Sequence, residues 1–146
     1  FGSVAPALKG ELTVVSSGKV EVFEAVKPIL EKIAKEIFHL QTPSSATKMK
    51  LINNLCLGSF MVTLAECTAL AENCDIPKAK ALEILGVGGG QSLVLKAKTQ
   101  KLIDEDFSAH FSNNAINKDL HLLQDLAYNL KLPLYSAAIP KSCFLK

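Results

Sequence analysis

Lys50 and Asn54 lie four residues apart in the stretch Ser44-Ser45-Ala46-Thr47-Lys48-Met49-Lys50-Leu51-Ile52-Asn53-Asn54. On a helix of about 3.6 residues per turn, this spacing puts both side chains on one face, one turn apart, within reach of one small polar ligand. A lysine gives or takes a proton at Nζ, and a primary amide both donates and accepts hydrogen bonds. Together they suit the orientation of an oxygen that must gain or lose a proton. The first turn of a helix disfavours a lysine by roughly 0.3–1 kcal/mol, and here there are two, Lys48 and Lys50. The positive helix end, the neighbouring Lys48 and partial burial are each expected to lower the pKa of Lys50. Spacing alone equally describes two solvated groups on an exposed turn.

The other candidates are weaker. Lys118-Asp119 is the pattern of a solvated pair, and His121 with Asp125, four residues on, reads as an ordinary helix-surface pair. The run Gly86-Val87-Gly88-Gly89-Gly90-Gln91 lacks the spacing of a dinucleotide loop, and it follows a helix where the mechanism needs a strand. It is expected to be a flexible helix connection. Cys56, Cys67, Cys74 and Cys143 show neither C-x-x-C spacing nor a histidine at metal-ligand distance, so free thiols in a reducing cytoplasm are expected. His39 and His110 stand alone, and no nucleophile elbow appears.

The elements that must position Lys50 and Asn54 follow from periodicity. Glu11–Ser16 reads as a short strand, Val20–Lys35 as a helix that Pro28 kinks or delays, and Glu36–Leu40 as a second strand. Two strands are too few for a stable sheet, so this segment reads as the tail of a larger one. After Pro43, with Ser44 or Ser45 as N-cap, one helix runs to about Asn73, roughly 40 Å at 1.5 Å per residue. Its stripe Thr47, Lys50, Asn54, Gly58 is polar and then small and reads as a cleft wall. Leu51, Leu55, Val62 and Leu70 flank it and suggest that most of the helix is buried.

Asp75 is expected to cap a helix over Pro77–Leu85, followed by helices over Ser92–Leu102 and Asn113–Leu130 with a solvated acidic turn, Asp104-Glu105-Asp106, between them. The last of these puts Leu120, Leu123 and Leu130 in or near the core. A final segment from Tyr135 to Lys146 starts another helix, which Pro140 is expected to interrupt.

Composition excludes several partners. The net charge is only +2 and all 16 basic residues are lysines, which disfavours nucleic acid because arginine normally reads guanine edges and clamps phosphates. The apolar run Leu55–Leu70 is interrupted by Thr63, Glu66 and Thr68, the pattern of a core helix rather than a membrane span. With 49% apolar and 21% charged residues, 146 residues suffice for one core.

Taken in order, these strings resemble the C-terminal part of the β-hydroxyacid dehydrogenase family, which includes 3-hydroxyisobutyrate dehydrogenases, tartronate semialdehyde reductases and glyoxylate or succinic semialdehyde reductases. Lys50-Leu51-Ile52-Asn53-Asn54 resembles the family's K-x-x-N-N signature. Gly2-Ser3 with Ala7 and Gly10-Glu11-Leu12 resembles its substrate loop, and Phe111 with Lys118-Asp119-Leu120 its downstream motif. Lys48-Met49-Lys50-Leu51-Ile52 is most similar to the glyoxylate and succinic semialdehyde reductase branch.

The resemblance implies a mainly α fold: a helical domain like the C-terminal domain of 6-phosphogluconate dehydrogenase, built on one long helix and preceded by a strand-helix-strand remnant of a Rossmann domain. The implied division is 1–42 for the end of a nucleotide-binding domain and 43–146 for the helical domain, with the family's last helix cut short. The implied roles are Lys50 as acid/base, Asn54 on the reacting oxygen, Gly2, Ser3 and Asn53 on a small carboxylate substrate, and Lys118 and Asp119 toward NAD or NADP. Departures from the family are Phe1 in place of a serine, Gln41 and Ser44 in place of glycines, and the absence of the nucleotide-binding domain with its Gly-rich turn. The overlong helix also suggests a homodimer. A rival reading is a non-catalytic helical dimerisation or scaffold module that keeps the family fold.

Overall fold

A computed structural model describes residues 1–2, 4–109 and 111–144. Contacts divide the chain into two units, residues 1–53 and residues 54–146. The first opens with a one-turn helix, α1 (Val4–Leu8), closed by Gly10 at φ 67°. One turn is too short to show a period, which is why periodicity missed it. Strand β1 (Leu12–Ser17), helix α2 (Val20–Leu30) and strand β2 (Ala34–Leu40) follow. The strands pair in parallel as a two-stranded sheet, with Ser16 opposite His39 and an irregularity between Leu12 and Thr13. A parallel pair needs a crossover, and α2 supplies it. The Ser16 hydroxyl lies 3.0 Å from Nδ1 of His39, whose ring stacks on Phe23 at 4.3 Å. His39 is therefore a packed residue of the sheet face. Helix α2 ends at Leu30, earlier than Lys35, because 31–33 form the turn that returns the chain to β2.

Helix α3 (Ser45–Asn73) has the length that the sequence indicates. Ser44 stands at its N-cap position, as expected. The Ser45 hydroxyl donates back to the Thr42 carbonyl, and Ser44 stands in the left-handed region at φ 65° while its carbonyl accepts the helix's first N–H, from Lys48. A non-glycine residue there costs roughly 1–2 kcal/mol. Ser44→Gly is therefore expected to raise stability by about 0.5–1 kcal/mol, part of the relief being offset by the extra freedom of glycine in the unfolded chain. Urea unfolding checks this, and an unchanged or lowered midpoint would refute it.

In the second unit, Leu64 on α3 packs with Leu82 on α4 (Lys78–Val87) and Leu95 on α5 (Leu93–Ile103), with Leu85 and Leu102 around them. Helix α6 (Asn113–Asn129) buries Ile116, Asp119, Leu120, Leu123 and Ala127, and α7 (Tyr135–Cys143) buries Ala137 and Pro140. By length and apolar content α3 could cross a membrane. Within this unit its buried Leu64 packs on α4 and α5, and its buried Gly58 faces α6 and α7.

Several expectations are corrected. Helix α3 is not mostly buried: Leu70 is 66% exposed, and Leu130, the C-cap of α6, is also exposed. Asp75 does not cap α4, whose N-cap is Pro77. It instead closes α3 in the left-handed conformation (φ 58°), with the Ile76 N–H donating to Ala71 O. Glu105 ends α5 and Lys131 ends α6 in the same way.

The acidic turn after α5 is exposed, as expected, and carries ion pairs. Lys101 Nζ donates to Asp106 at 2.6 Å and to the Ser108 hydroxyl at 2.7 Å, and Lys78 lies 3.6 Å from Glu105. The Lys101 ammonium, with Ser108, holds the Asp106 carboxyl well below the usual carboxylate range. Pro140 does not interrupt α7 either. The Ser136 carbonyl, which proline cannot bond, accepts from the Ser59 hydroxyl on α3 at 3.3 Å.

Candidate active site

Helix α3 carries Lys50, Asn53 and Asn54 within one turn. Lys50 is exposed, Asn53 is half-buried and Asn54 is only 6% exposed. The partial burial expected of Lys50 is therefore not found. The stripe Thr47, Lys50, Asn54, Gly58 passes from exposed to buried positions along α3. Asn54 turns inward because α6 offers it a partner, and Gly58 because α6 and α7 approach it. A Cβ built at Gly58 would lie 3.4 Å from Leu120 Cδ1, 3.6 Å from Pro140 Cβ and 3.7 Å from Ile116 Cγ1.

The partner of Asn54 is Asp119. Asn54 Nδ2 donates to Asp119 Oδ2 at 2.7 Å, and Asp119 is 1% exposed. A charge-assisted bond of this kind contributes about 1.5–3 kcal/mol, and losing either partner would strand a buried polar group. Lys118, 65% exposed on α6, places Nζ 3.4 Å from the other oxygen, Oδ1. The pair Lys118-Asp119 is thus half solvated and half core, unlike the solvated pair that spacing suggested. Sequence reading missed this link across 65 positions, but a signal was present. Asp119 interrupts the apolar stripe Ile116, Leu120, Leu123 and Ala127 of α6, where a carboxylate needs a specific partner.

Gly2 has φ 128°, and a Cβ on it would come within 2.8 Å of Leu12 Cδ2, so the backbone there requires glycine. Ser3 and His110 lie outside the described residues. His121 sits 3.7 Å from Asp125 on an exposed face, its Nδ1 3.1 Å from Lys141 Nζ. The run Gly86–Gly90 joins α4 to α5, whose N-cap Ser92 accepts the Leu95 N–H at 3.0 Å, so no strand precedes it.

Residues 44–145 match the family described as NAD-binding of NADP-dependent 3-hydroxyisobutyrate dehydrogenase. The chain belongs to this 3-hydroxyisobutyrate dehydrogenase-like branch of the β-hydroxyacid dehydrogenases. Residues 1–41 match the NAD binding domain of 6-phosphogluconate dehydrogenase. The chain is 32% identical to 2-(hydroxymethyl)glutarate dehydrogenase of Eubacterium barkeri and 28% identical to L-threonate dehydrogenase of Haemophilus influenzae, each over 144 residues. Those matches take in 98% of this chain and 48% of each relative, so the chain spans about half their length. A solved 3-hydroxyisobutyrate dehydrogenase from Salmonella typhimurium superposes with TM-score 0.90 at 29% identity, covering 99% of this chain and 51% of that one. The mainly α fold, with its strand-helix-strand opening, agrees with the family.

Proposed function

We propose that this chain is the C-terminal portion of an NAD(P)-dependent oxidoreductase that interconverts a small hydroxy acid and its aldehyde or keto acid, of the 3-hydroxyisobutyrate, glyoxylate or succinic semialdehyde type. The observation that carries this reading is Lys50 and Asn54 one turn apart on α3, with the Asn54 amide held by a buried carboxylate. The named relatives support it, being dehydrogenases of hydroxy acids. In this reading residues 1–42 are the end of a nucleotide-binding domain and 43–146 the helical domain. Exposed Val22, Ile29 and Phe38 in the first unit suit burial by the rest of such a sheet.

The residues present fit a nicotinamide dinucleotide in part. The β1-α2-β2 crossover is the repeating unit of dinucleotide-binding sheets, and Lys118 offers an exposed ammonium to an anionic cofactor. The chemistry supplied by a bound nicotinamide is hydride transfer. In reduction Lys50 Nζ gives its proton to the oxygen as the carbonyl becomes an alkoxide, and in oxidation it takes that proton back. Asn54 orients the same oxygen, while Gly2, Ser3 and Asn53 hold the substrate carboxylate.

Produced as one polypeptide with the half of the Salmonella relative that this chain does not cover, the chain should oxidise a hydroxy acid of this class with NAD⁺ or NADP⁺. A folded chimera that binds the cofactor yet transfers no hydride would overturn the proposal.

Association belongs to the same proposal, for a protein of the cytoplasm. Phe60 and Leu70 lie exposed on α3, and Met61, Val62 and Ala65 line an apolar groove of about 250 Å³ with Phe144. A second copy of the chain is the occupant that we assign to this face. Sedimentation should find a dimer at micromolar concentration, and a clean monomer at high concentration would remove the assignment.

A further inference from the structure

Asp119 is a buried carboxylate that the proton transfer above does not use. The geometry points to Asp119 as a positioning residue that sets the orientation of the Asn54 amide, rather than a group that faces the cofactor. This inference rests on the proposed role of Asn54.

Three observations carry it. At 1% exposure, within the apolar stripe of α6, Asp119 is walled off from any ligand in solution. Burying an ionised carboxylate there costs several kcal/mol unless it is bonded and offset by opposite charge. Asn54 Nδ2 at 2.7 Å supplies the bond, and the Lys118 ammonium at 3.4 Å supplies the charge. Finally, an ionised carboxylate only accepts hydrogen bonds. It therefore dictates which end of the amide faces it: Nδ2 must point toward Asp119, because a flipped Asn54 would set Oδ1 against a carboxylate oxygen.

The consequence concerns the direction in which Asn54 presents its donor and acceptor. The two ends of a primary amide are nearly the same shape, so packing alone barely distinguishes the two flips. The Nδ2 proton not given to Asp119 is the donor left for a reacting carbonyl oxygen that becomes an alkoxide, and a flipped amide would place an acceptor there instead. Lys50, the proposed proton source, lies one turn before Asn54 on α3. Lys118 is the half of the Lys118-Asp119 motif that remains reachable for a cofactor.

Asp119→Asn tests this, since it keeps the volume but offers both a donor and an acceptor and no longer dictates the flip. In the complete dehydrogenase the variant should lose roughly tenfold in kcat with KM changed by less than about twofold, because the bond acts on the transition state. In an Asn54→Ala background the same change should cost less than about twofold, because its effect passes through Asn54. An equal loss in both backgrounds would overturn the inference and make Asp119 an independent contributor. If Asn54→Ala alone left kcat unchanged, the proposed function would fail instead.

A second measurement keeps the two ideas apart and covers a variant that does not fold. In the unsubstituted 146-residue chain, the side-chain amide protons of Asn54 should exchange with solvent at least about tenfold more slowly than those of exposed Asn114. Equal exchange rates would show that the Asp119 bond is not held in solution and would overturn the positioning role.

Discussion

Lys50→Ala in the complete dehydrogenase is expected to lower kcat by roughly 10²–10⁴-fold, the usual contribution of a general acid or base, with the fold intact. The two halves of this expectation have separate physical grounds. Turnover falls because an alkoxide forming without a proton donor must take its proton from water, which is a poorer acid than an ammonium and is not held in place. Stability is spared because Lys50 is exposed, and substitutions at such positions usually stay within about ±0.5 kcal/mol. Lys50→Arg should not restore turnover, since a guanidinium keeps its proton at any working pH. Steady-state kinetics beside a urea melt separate these effects. Near-normal turnover in Lys50→Ala would sink the assignment of Lys50 as the acid/base.

At Gly58 the expected effect is on stability, and it changes sign with side-chain size. The Cβ of an alanine would meet Leu120, Pro140 and Ile116 at 3.4–3.7 Å, which is ordinary contact. Replacing a mid-helix glycine also gains up to about 1 kcal/mol from reduced backbone freedom in the unfolded chain. Gly58→Ala should therefore be neutral or slightly stabilising. Gly58→Leu has no such room, because three further carbons must enter space filled by Leu120, which is fully buried, and by Pro140. Overpacking of this kind costs about 1–3 kcal/mol or more. Thermal or urea unfolding of both variants checks the reversal. If Gly58→Leu were as stable as Gly58→Ala, α3, α6 and α7 would not pack as closely as described.

The sequence itself carried the order and type of most elements, because each is encoded locally. The proline-free run of α3, the apolar Leu12, Val14 and Val15 of β1 and the helical spacing of α6 need no distant residue. The Lys50–Asn54 face was legible for the same reason, since a four-residue spacing has one meaning on a helix. The ordered motifs also sufficed to indicate the family.

Tertiary structure decided what depends on a neighbour. Pro140 stays helical because Ser59, 81 positions earlier in sequence, lies where its hydroxyl takes the carbonyl that the proline leaves unbonded. Leu70 is apolar but uncovered, because periodicity identifies a face and not what packs on it. Lys50 and Asn54 share a face and a turn, yet Lys50 is exposed while Asn54 is buried against a carboxylate from α6. Chemistry along one helix turn is a local property that residue types and spacing determine. Burial, and the choice between the two ends of an amide, arise only when a second helix brings Asp119 to within 2.7 Å.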